Sequence, residues 1–359
     1  MSEKPSGFKP GDVLDQEIEG MPEQEMISKY KPTFLGMGGE QIVFGIEGHP
    51  NVVAKVRKHT LGEVVNYNRT EGISDEELHP AARAYLEKQL RREQGAQKLL
   101  KTHFPGHTLL ERQYIQQVPV TRQMMEAIKD RWSTYDELAD GVHHLWTTVR
   151  IQEKLPPEAM PNQEAISLSF QYVEQHFDDD EVDAYDNLNT VLLDGAPLED
   201  PGLLEEVLPH ALLDAMDQHP ELKHLVSEFA EHAITYTQAT GEMLDLAGSW
   251  NVTVFEKDGT WDYVMPDAIY PARDSYTRGV FGIDALLHGK TIEAGKENTV
   301  LNTISYARFV NALAMVSGSS ARLKIFDQPI ASNSEVLLHL AKRELSRWSH
   351  HETSKDGVV

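Results

Sequence analysis

The chain has 359 residues, of which 40% are hydrophobic and 25% are charged, and its formal net charge is −24. This composition is typical of a globular protein, and the length predicts two or three domains or one large bilobal unit. The negative charge argues against broad binding to nucleic acid or to an anionic membrane, and the absence of cysteine excludes disulfides and zinc–thiolate or iron–sulfur sites.

Both ends of the chain are predicted to be flexible tails, over residues 1–24 and 350–359. The N-terminal tail lacks the apolar core of a signal peptide. No run approaches the roughly 18–20 apolar residues that a membrane-spanning helix needs. We therefore expect a cytoplasmic protein with no membrane span and no nucleic-acid partner.

Residues 25–155 are predicted to form a β-rich region with one helix. Apolar residues alternate in QIVFGIEG, and NVVAKV, HTLLERQYIQQVPV and LWTTVRIQEKL read as further strands. A capping-box pattern at Ser74–Glu77 predicts the start of a helix that runs to about Thr102.

That helix has one charged residue on its apolar face. Leu86, Leu90 and Leu100 lie within about 40° of one line at 100° per residue, and Glu93 falls on the same line. Because an unpaired buried charge is very unfavourable, Glu93 either has a partner or reaches solvent past the edge of the face.

Residues 156–349 are predicted to be mainly helical. Helices are expected in LLEEVLPHALLDAMDQ, in PELKHLVSEFAEHAITYTQATG with its end at Gly241, and near 295–317 and 333–348. One hairpin interrupts them, because NVTVFE and TWDYVM flank a Lys-Asp-Gly turn. The segment after Asp267, rich in Arg, Tyr and Gly, is predicted to be irregular.

Two segments are candidates for contact with a partner or for substrate specificity. One is an insertion over 116–145. The other is an acidic loop over 177–200, whose run at 177–189 lacks the Gly and Glu spacing of an EF-hand and is predicted to be solvated.

The first candidate motif is a glycine turn, Gly36-x-Gly38-Gly39, which precedes a strand carrying Val43. Glycines allow backbone amides to approach phosphate oxygens closely, although a glycine-rich hairpin without a ligand shows the same pattern. The second motif is Lys55 within NVVAKV. A lysine in an apolar strand either marks an exposed edge or faces a cleft.

Together, the glycine turn and Val53-Ala54-Lys55-Val56 resemble the N-lobe of the protein-kinase-like superfamily. The resemblance implies that Glu93 pairs with Lys55 and that RIQEKL is the hinge that meets adenine. The residues that it places at the nucleotide are Gly36, Gly38, Gly39, Val43, Ala54, Lys55, Glu153 and Lys154.

The stretch LDLAGSWNVTVF resembles the catalytic loop of the same superfamily. Asp245 matches the catalytic aspartate, Asn251 matches the metal-binding asparagine, and Asp267 after the hairpin matches the metal-binding aspartate. The resemblance implies an α+β, bilobal protein-kinase-like fold, with an N-lobe over 25–155 and a mainly helical C-lobe over 156–349. It also implies ATP and Mg²⁺ as cofactors.

The catalytic-loop match departs from the family pattern at several points. Met243-Leu244 replaces His-Arg, Ala247 replaces the lysine two positions after the aspartate, and Asn251 follows Asp245 by six residues where the family has five. Either Gly248 accommodates the extra residue or Asp245 is not the catalytic aspartate. Asp267 is followed by Ala-Ile instead of Phe-Gly, no Ala-Pro-Glu follows, and Asp262 is an alternative to Asp267.

Three hypotheses follow. The chain is an ATP- and Mg²⁺-dependent phosphotransferase, with Lys55, Glu93 and Asp245 as its catalytic residues, that acts on a hydroxyl of an unknown protein or small molecule. Alternatively, it is a pseudokinase that serves as an interaction module. In the third hypothesis it is an unrelated α+β protein whose motifs coincide by chance.

Overall fold

The computed structural model describes residues 32–37, 41–57, 75–109, 111–119, 144–161, 164–170, 188–270, 273–290 and 297–326. These residues form a mixed α+β structure with two antiparallel sheets. Both predicted tails, Gly38 and Gly39, most of the 116–145 insertion, residues 177–187 and the predicted helix at 333–348 lie outside them. In the described part, no helix is long and apolar enough to cross a membrane.

The described residues divide into two compact units. Unit 1 holds those up to Lys98 together with those of Leu109–Leu155. Unit 2 holds Leu99–Thr108 and the described residues from Pro156 onward.

Unit 1 is built on a five-stranded antiparallel sheet, and its predicted strands are confirmed. In spatial order the strands are β1 (Pro32–Met37), β2 (Gln41–Ile46), β3 (His49–Arg57), β5 (His144–Glu153) and β4 (Glu111–Pro119). Gly48, with φ of 82°, makes the turn between β2 and β3.

The two faces of this sheet differ in chemistry because side chains alternate along each strand. One face is apolar and buried, and its members include Ile42, Phe44, Ala54, Val56, Val149 and Ile151. The opposite face, here called the charged face, carries Val43, Lys55, Gln113, Arg150 and Gln152.

Helix α1 (Asp75–His103) confirms the helix predicted up to about Thr102. In unit 1 its fully buried Leu86 packs with Ile115 of β4, flanked by Tyr85 and Leu90. Ile115 lies two residues after Gln113 on the same strand, so α1 packs on the charged face.

Unit 2 packs helices around a three-stranded sheet of β6 (Ile166–Ser167), β7 (Thr253–Lys257) and β8 (Thr260–Val264). The β7–β8 hairpin turns at Asp258 and Gly259, both with positive φ, as the Asp-Gly signal predicted. The helices are α2 (His210–Gln218), α3 (Pro220–Thr240), α4 (Ser275–Leu287) and α5 (Glu297–Val316). Two 3₁₀ turns, Pro157–Ala159 and Pro201–Leu204, also belong to this unit.

Helix α4 corrects the prediction that the chain after Asp267 is irregular. Glycine lowers helix propensity, but Gly279 allows α4 to cross α5 closely. A Cβ at Gly279 would lie 2.6 Å from Cβ of Thr303, which is nearer than side chains can pack. Tertiary packing therefore decides the conformation of this segment against its local propensity.

Candidate functional site

The glycine turn is described at Gly36, which lies in β1. The pairing of β1 with β2 shifts its register between Phe34 and Gly36. A Cβ built at Gly36 would meet no atom within 4 Å, so there is open space above this backbone. Gly38 and Gly39 lie outside the described residues, and their predicted contact with phosphate stays a prediction.

Lys55 lies in the middle of the sheet, because β3 pairs with β2 on one side and with β5 on the other. The alternative of an edge-strand lysine is therefore wrong. Lys55 is in register with Val43 and with Arg150, and these three share the charged face.

Ala54 lies on the apolar face, opposite to Lys55, because adjacent strand residues point to opposite sides. A ligand held by Lys55 against the charged face would meet Val53, two residues before Lys55, and not Ala54. This change of face corrects the expectation that Ala54 and Lys55 contact one nucleotide together.

Glu93 of α1 has a charged partner, which removes the alternative that it reaches solvent. Its carboxylate Oε2 lies 3.6 Å from Nη2 of Arg150, and the two side chains are 13% and 7% exposed. Arg150 is the cross-strand neighbour of Lys55. The predicted Lys55–Glu93 pair stays a prediction, and Arg150 is the partner that sequence reasoning missed.

The predicted hinge begins at the end of β5. Glu153 is in register with Val52 of β3, and the Lys154 amide donates to the Asn51 carbonyl at 2.8 Å. The backbone N–H of Lys154 is therefore engaged by the sheet, which leaves its carbonyl as the backbone group of that residue with capacity for a ligand.

In unit 2 the segment 241–252 carries Asp245 and Asn251 and is held from two sides. On one side the Phe170 amide donates to the Leu246 carbonyl, and the Trp250 amide donates to Oγ of Ser167, at 2.9 and 2.8 Å. On the other side the Asp245 amide donates to the Ala268 carbonyl at 3.0 Å.

Gly248 accommodates the extra residue of this segment. The side-chain Nδ2 of Asn251 donates to the backbone carbonyl of Asp245 at 3.1 Å and closes the loop from Asp245 to Asn251. A Cβ at Gly248 would lie 2.3 Å from that nitrogen, so only glycine leaves room for the bond. Because Nδ2 faces Asp245, Oδ1 is the atom that Asn251 can offer to a cation, and oxygen is the ligand type that Mg²⁺ prefers.

Asp267 lies on the chain segment that pairs with Asp245. Leu244 and Ile269 form an antiparallel bridge, and Asp245 bonds Ala268, the residue after Asp267. The backbone thus brings Asp245, Asn251 and Asp267 to neighbouring positions in unit 2. Asp262, the alternative to Asp267, lies on β8 with a half-exposed side chain 3.1 Å from Nδ1 of His107.

Two tyrosines border this loop, the partly buried Tyr270 and the fully buried Tyr306. Burial raises the pKa of Tyr270, and the Asp245 carboxylate raises it further, while the hydrogen bond with Asn302 of α5 acts in the opposite sense. The fully buried Tyr306 of α5 shares a hydrogen bond of 2.8 Å with Thr237 and also bonds the backbone of Leu244. Helix α5 therefore supports the residues immediately before Asp245.

Glu242 is a second residue that sequence reasoning missed. Its carboxylate accepts hydrogen bonds from the amides of Asp274 and Ser275, at 2.9 and 3.1 Å, at the N-terminus of α4. The Ser275 hydroxyl donates to the same carboxylate and accepts from the Met243 amide at 2.8 Å. Glu242 caps a helix that begins over 30 residues later, so no local sequence pattern could reveal it.

In the described ranges, no group of three or more His, Asp and Glu side chains is arranged to hold a metal ion. The predicted metal ligands, Asn251 and Asp267, contribute one amide and one carboxylate. No protein-family model, curated protein or solved structure matches the chain. The resemblance to the protein-kinase-like superfamily therefore rests only on the motifs in this sequence.

Proposed function

We propose that this chain is a protein-kinase-like, ATP- and Mg²⁺-dependent phosphotransferase with a bilobal fold. The observation that carries the proposal is the closed loop at Gly248, in which Asn251 bonds the Asp245 carbonyl beside the segment of Asp267. The extra residue was the main objection to assigning Asp245 as the catalytic aspartate. The loop absorbs it without separating Asp245 from Asn251.

In this proposal Asn251 and Asp267 would supply oxygen ligands to Mg²⁺, and the ion would offset negative charge on the phosphates of ATP. Asp245 accepts or orients the proton of the acceptor hydroxyl. The glycine turn and Lys55 hold the phosphates, and Glu93 is part of the charged surroundings of Lys55. The work of such residues is positioning and electrostatic stabilisation.

The proposal is tested by thermal unfolding with and without Mg·ATP. We expect Mg·ATP to raise the Tm of the wild-type chain, and we expect Lys55→Met and Asp267→Ala each to abolish the increase. Matched controls are Lys257→Met and Asp217→Ala, which change exposed residues outside the proposed site. If Mg·ATP leaves the wild-type Tm unchanged, the proposal is wrong.

The alternative is a pseudokinase that binds nucleotide, or a partner, without transfer. Met243 and Leu244, each 1% exposed, occupy the positions where the family has His and Arg. Because Leu244 stands where the family has arginine, this position cannot form an ion pair with a phosphorylated activation loop. Nucleotide binding without conversion of ATP to ADP, across protein and small-molecule acceptors, would favour this alternative.

A further inference from the structure

The charged face of the unit 1 sheet holds a buried charge cluster, formed by Glu93, Glu111 and Arg150. The Arg150 guanidinium lies between the two carboxylates, with Nη2 3.6 Å from Glu93 Oε2 and Nε 3.5 Å from Glu111 Oε2. The exposed fraction of the side chain is 7% for Arg150, 13% for Glu93 and 3% for Glu111. Both contacts are ion pairs longer than a typical hydrogen bond, and a buried charge is strongly destabilising when it has no such partner.

Glu111 fixes the guanidinium in place. Its two carboxylate oxygens also accept hydrogen bonds from Gln113 and Gln152, at 2.9 and 3.2 Å. Those two amides and Arg150 belong to neighbouring positions of β4 and β5. Glu111 is therefore an anchored carboxylate that orients Arg150 toward α1.

The cluster also has a charge balance that includes Lys55. Two carboxylates share one guanidinium, so the three residues together carry one excess negative charge. Lys55, which is partly buried, is in register with Arg150 on the same face of the sheet and adds a positive charge to that face. A positive charge on the same face partly offsets the excess negative charge of the buried cluster.

We propose that Arg150 is a positioning residue for the nucleotide site. Its guanidinium holds Glu93, and with it the middle of α1, against β5 beside Lys55 before any nucleotide binds. The part that concerns nucleotide rests on the proposed function. The anchoring of α1 does not, because it needs only the contacts within unit 1.

The anchoring is tested by hydrogen exchange on the full chain without nucleotide. We expect Arg150→Gln to raise the exchange rates of α1 amides around Glu93 by about tenfold or more, which corresponds to about 1.4 kcal/mol. We expect Arg150→Lys to restore part of the protection. The control is Arg83→Gln, which removes an exposed pair with Glu87 on the same helix. Unchanged protection of α1 in Arg150→Gln would overturn the proposal.

If Arg150→Gln does not fold, Glu93→Gln removes the same contact and leaves the pair of Arg150 with Glu111 intact. The same two outcomes then apply to the α1 amides.

The effect on the nucleotide site is measured as the Kd of Mg·ATP in a double-mutant cycle. We expect Arg150→Gln to weaken binding between about 5-fold and about 150-fold, and to have little further effect in a Glu93→Gln background. Equal losses in both backgrounds would show that Arg150 does not act through Glu93. If the wild-type chain does not bind Mg·ATP while α1 loses protection in Arg150→Gln, the proposed function fails and the anchoring role stands.

Discussion

Replacing Gly248 with alanine is expected to displace Asn251 with only a small effect on folding. The added Cβ would lie 2.3 Å from Asn251 Nδ2 and 3.0 Å from its Cγ. Both atoms belong to a partly exposed side chain that can rotate away, so the backbone does not need to move. The free energy of unfolding then falls by the contribution of one hydrogen bond, roughly 1 kcal/mol. For a unit of this size, that lowers the Tm by about 2–4 °C.

The same substitution should have a larger effect on Mg·ATP. At 100 times its Kd, a ligand stabilises the folded state by about 2.7 kcal/mol. If displacement of Asn251 weakens binding tenfold, about 1.4 kcal/mol of that stabilisation is lost. The assay is thermal unfolding of wild type and Gly248→Ala with and without Mg·ATP. Gly95→Ala, at an exposed helical site with no atom within 4 Å, is the control and should be stabilising.

The reasoning depends on Asn251, so the effect of Gly248→Ala on Mg·ATP should disappear in an Asn251→Ala background. It is refuted if Gly248→Ala retains the full wild-type increase in Tm. It is also refuted if the loss is equally large in the Asn251→Ala background.

Three further predictions concern unit 2. Gly279→Ala should destabilise the chain by about 3 kcal/mol in urea unfolding, because its Cβ would overlap Thr303; an unchanged unfolding midpoint would contradict the close helix crossing. Asn311→Leu should lower the free energy of unfolding by at least about 3 kcal/mol. Asn311 bonds the Leu192 carbonyl and both backbone groups of Leu323, and these three buried groups would lose their partner. A decrease below about 1 kcal/mol would argue against those bonds. Burial raises the pKa of Tyr306 to about 12, so the folded state favours the protonated phenol, and its stabilising contribution is lost as the pH rises from about 10 through 12. Absorbance of the phenolate should show buried tyrosines titrating only as the chain unfolds, and full titration near pH 10 with intact circular dichroism would disprove this.

The sequence by itself determined the elements whose patterns are local. Alternating apolar residues predicted β2, and the composition of NVVAKV and LWTTVRIQEKL predicted β3 and β5. The Asp-Gly turn predicted the β7–β8 hairpin, and Gly241 predicted the end of α3. The apolar line of α1 also indicated that Glu93 either has a partner or reaches solvent past the edge of the face. These signals are readable because strand and helix periods and turn dihedrals depend on residues close together in the chain.

Only the tertiary structure decided which distant residues meet. That Arg150 pairs with Glu93 depends on the order of strands in the sheet, and that Glu242 caps α4 depends on two segments over 30 residues apart. The helix at Ser275–Leu287 packs closely on α5 where Gly279 meets Thr303, a contact between distant residues that local propensity does not record. In the sequence, the spacing of six from Asp245 to Asn251 departs from the spacing of five in the protein-kinase-like superfamily. In the fold this segment is a closed loop, because Gly248 has no side chain that would block the hydrogen bond from Asn251 Nδ2 to the Asp245 carbonyl.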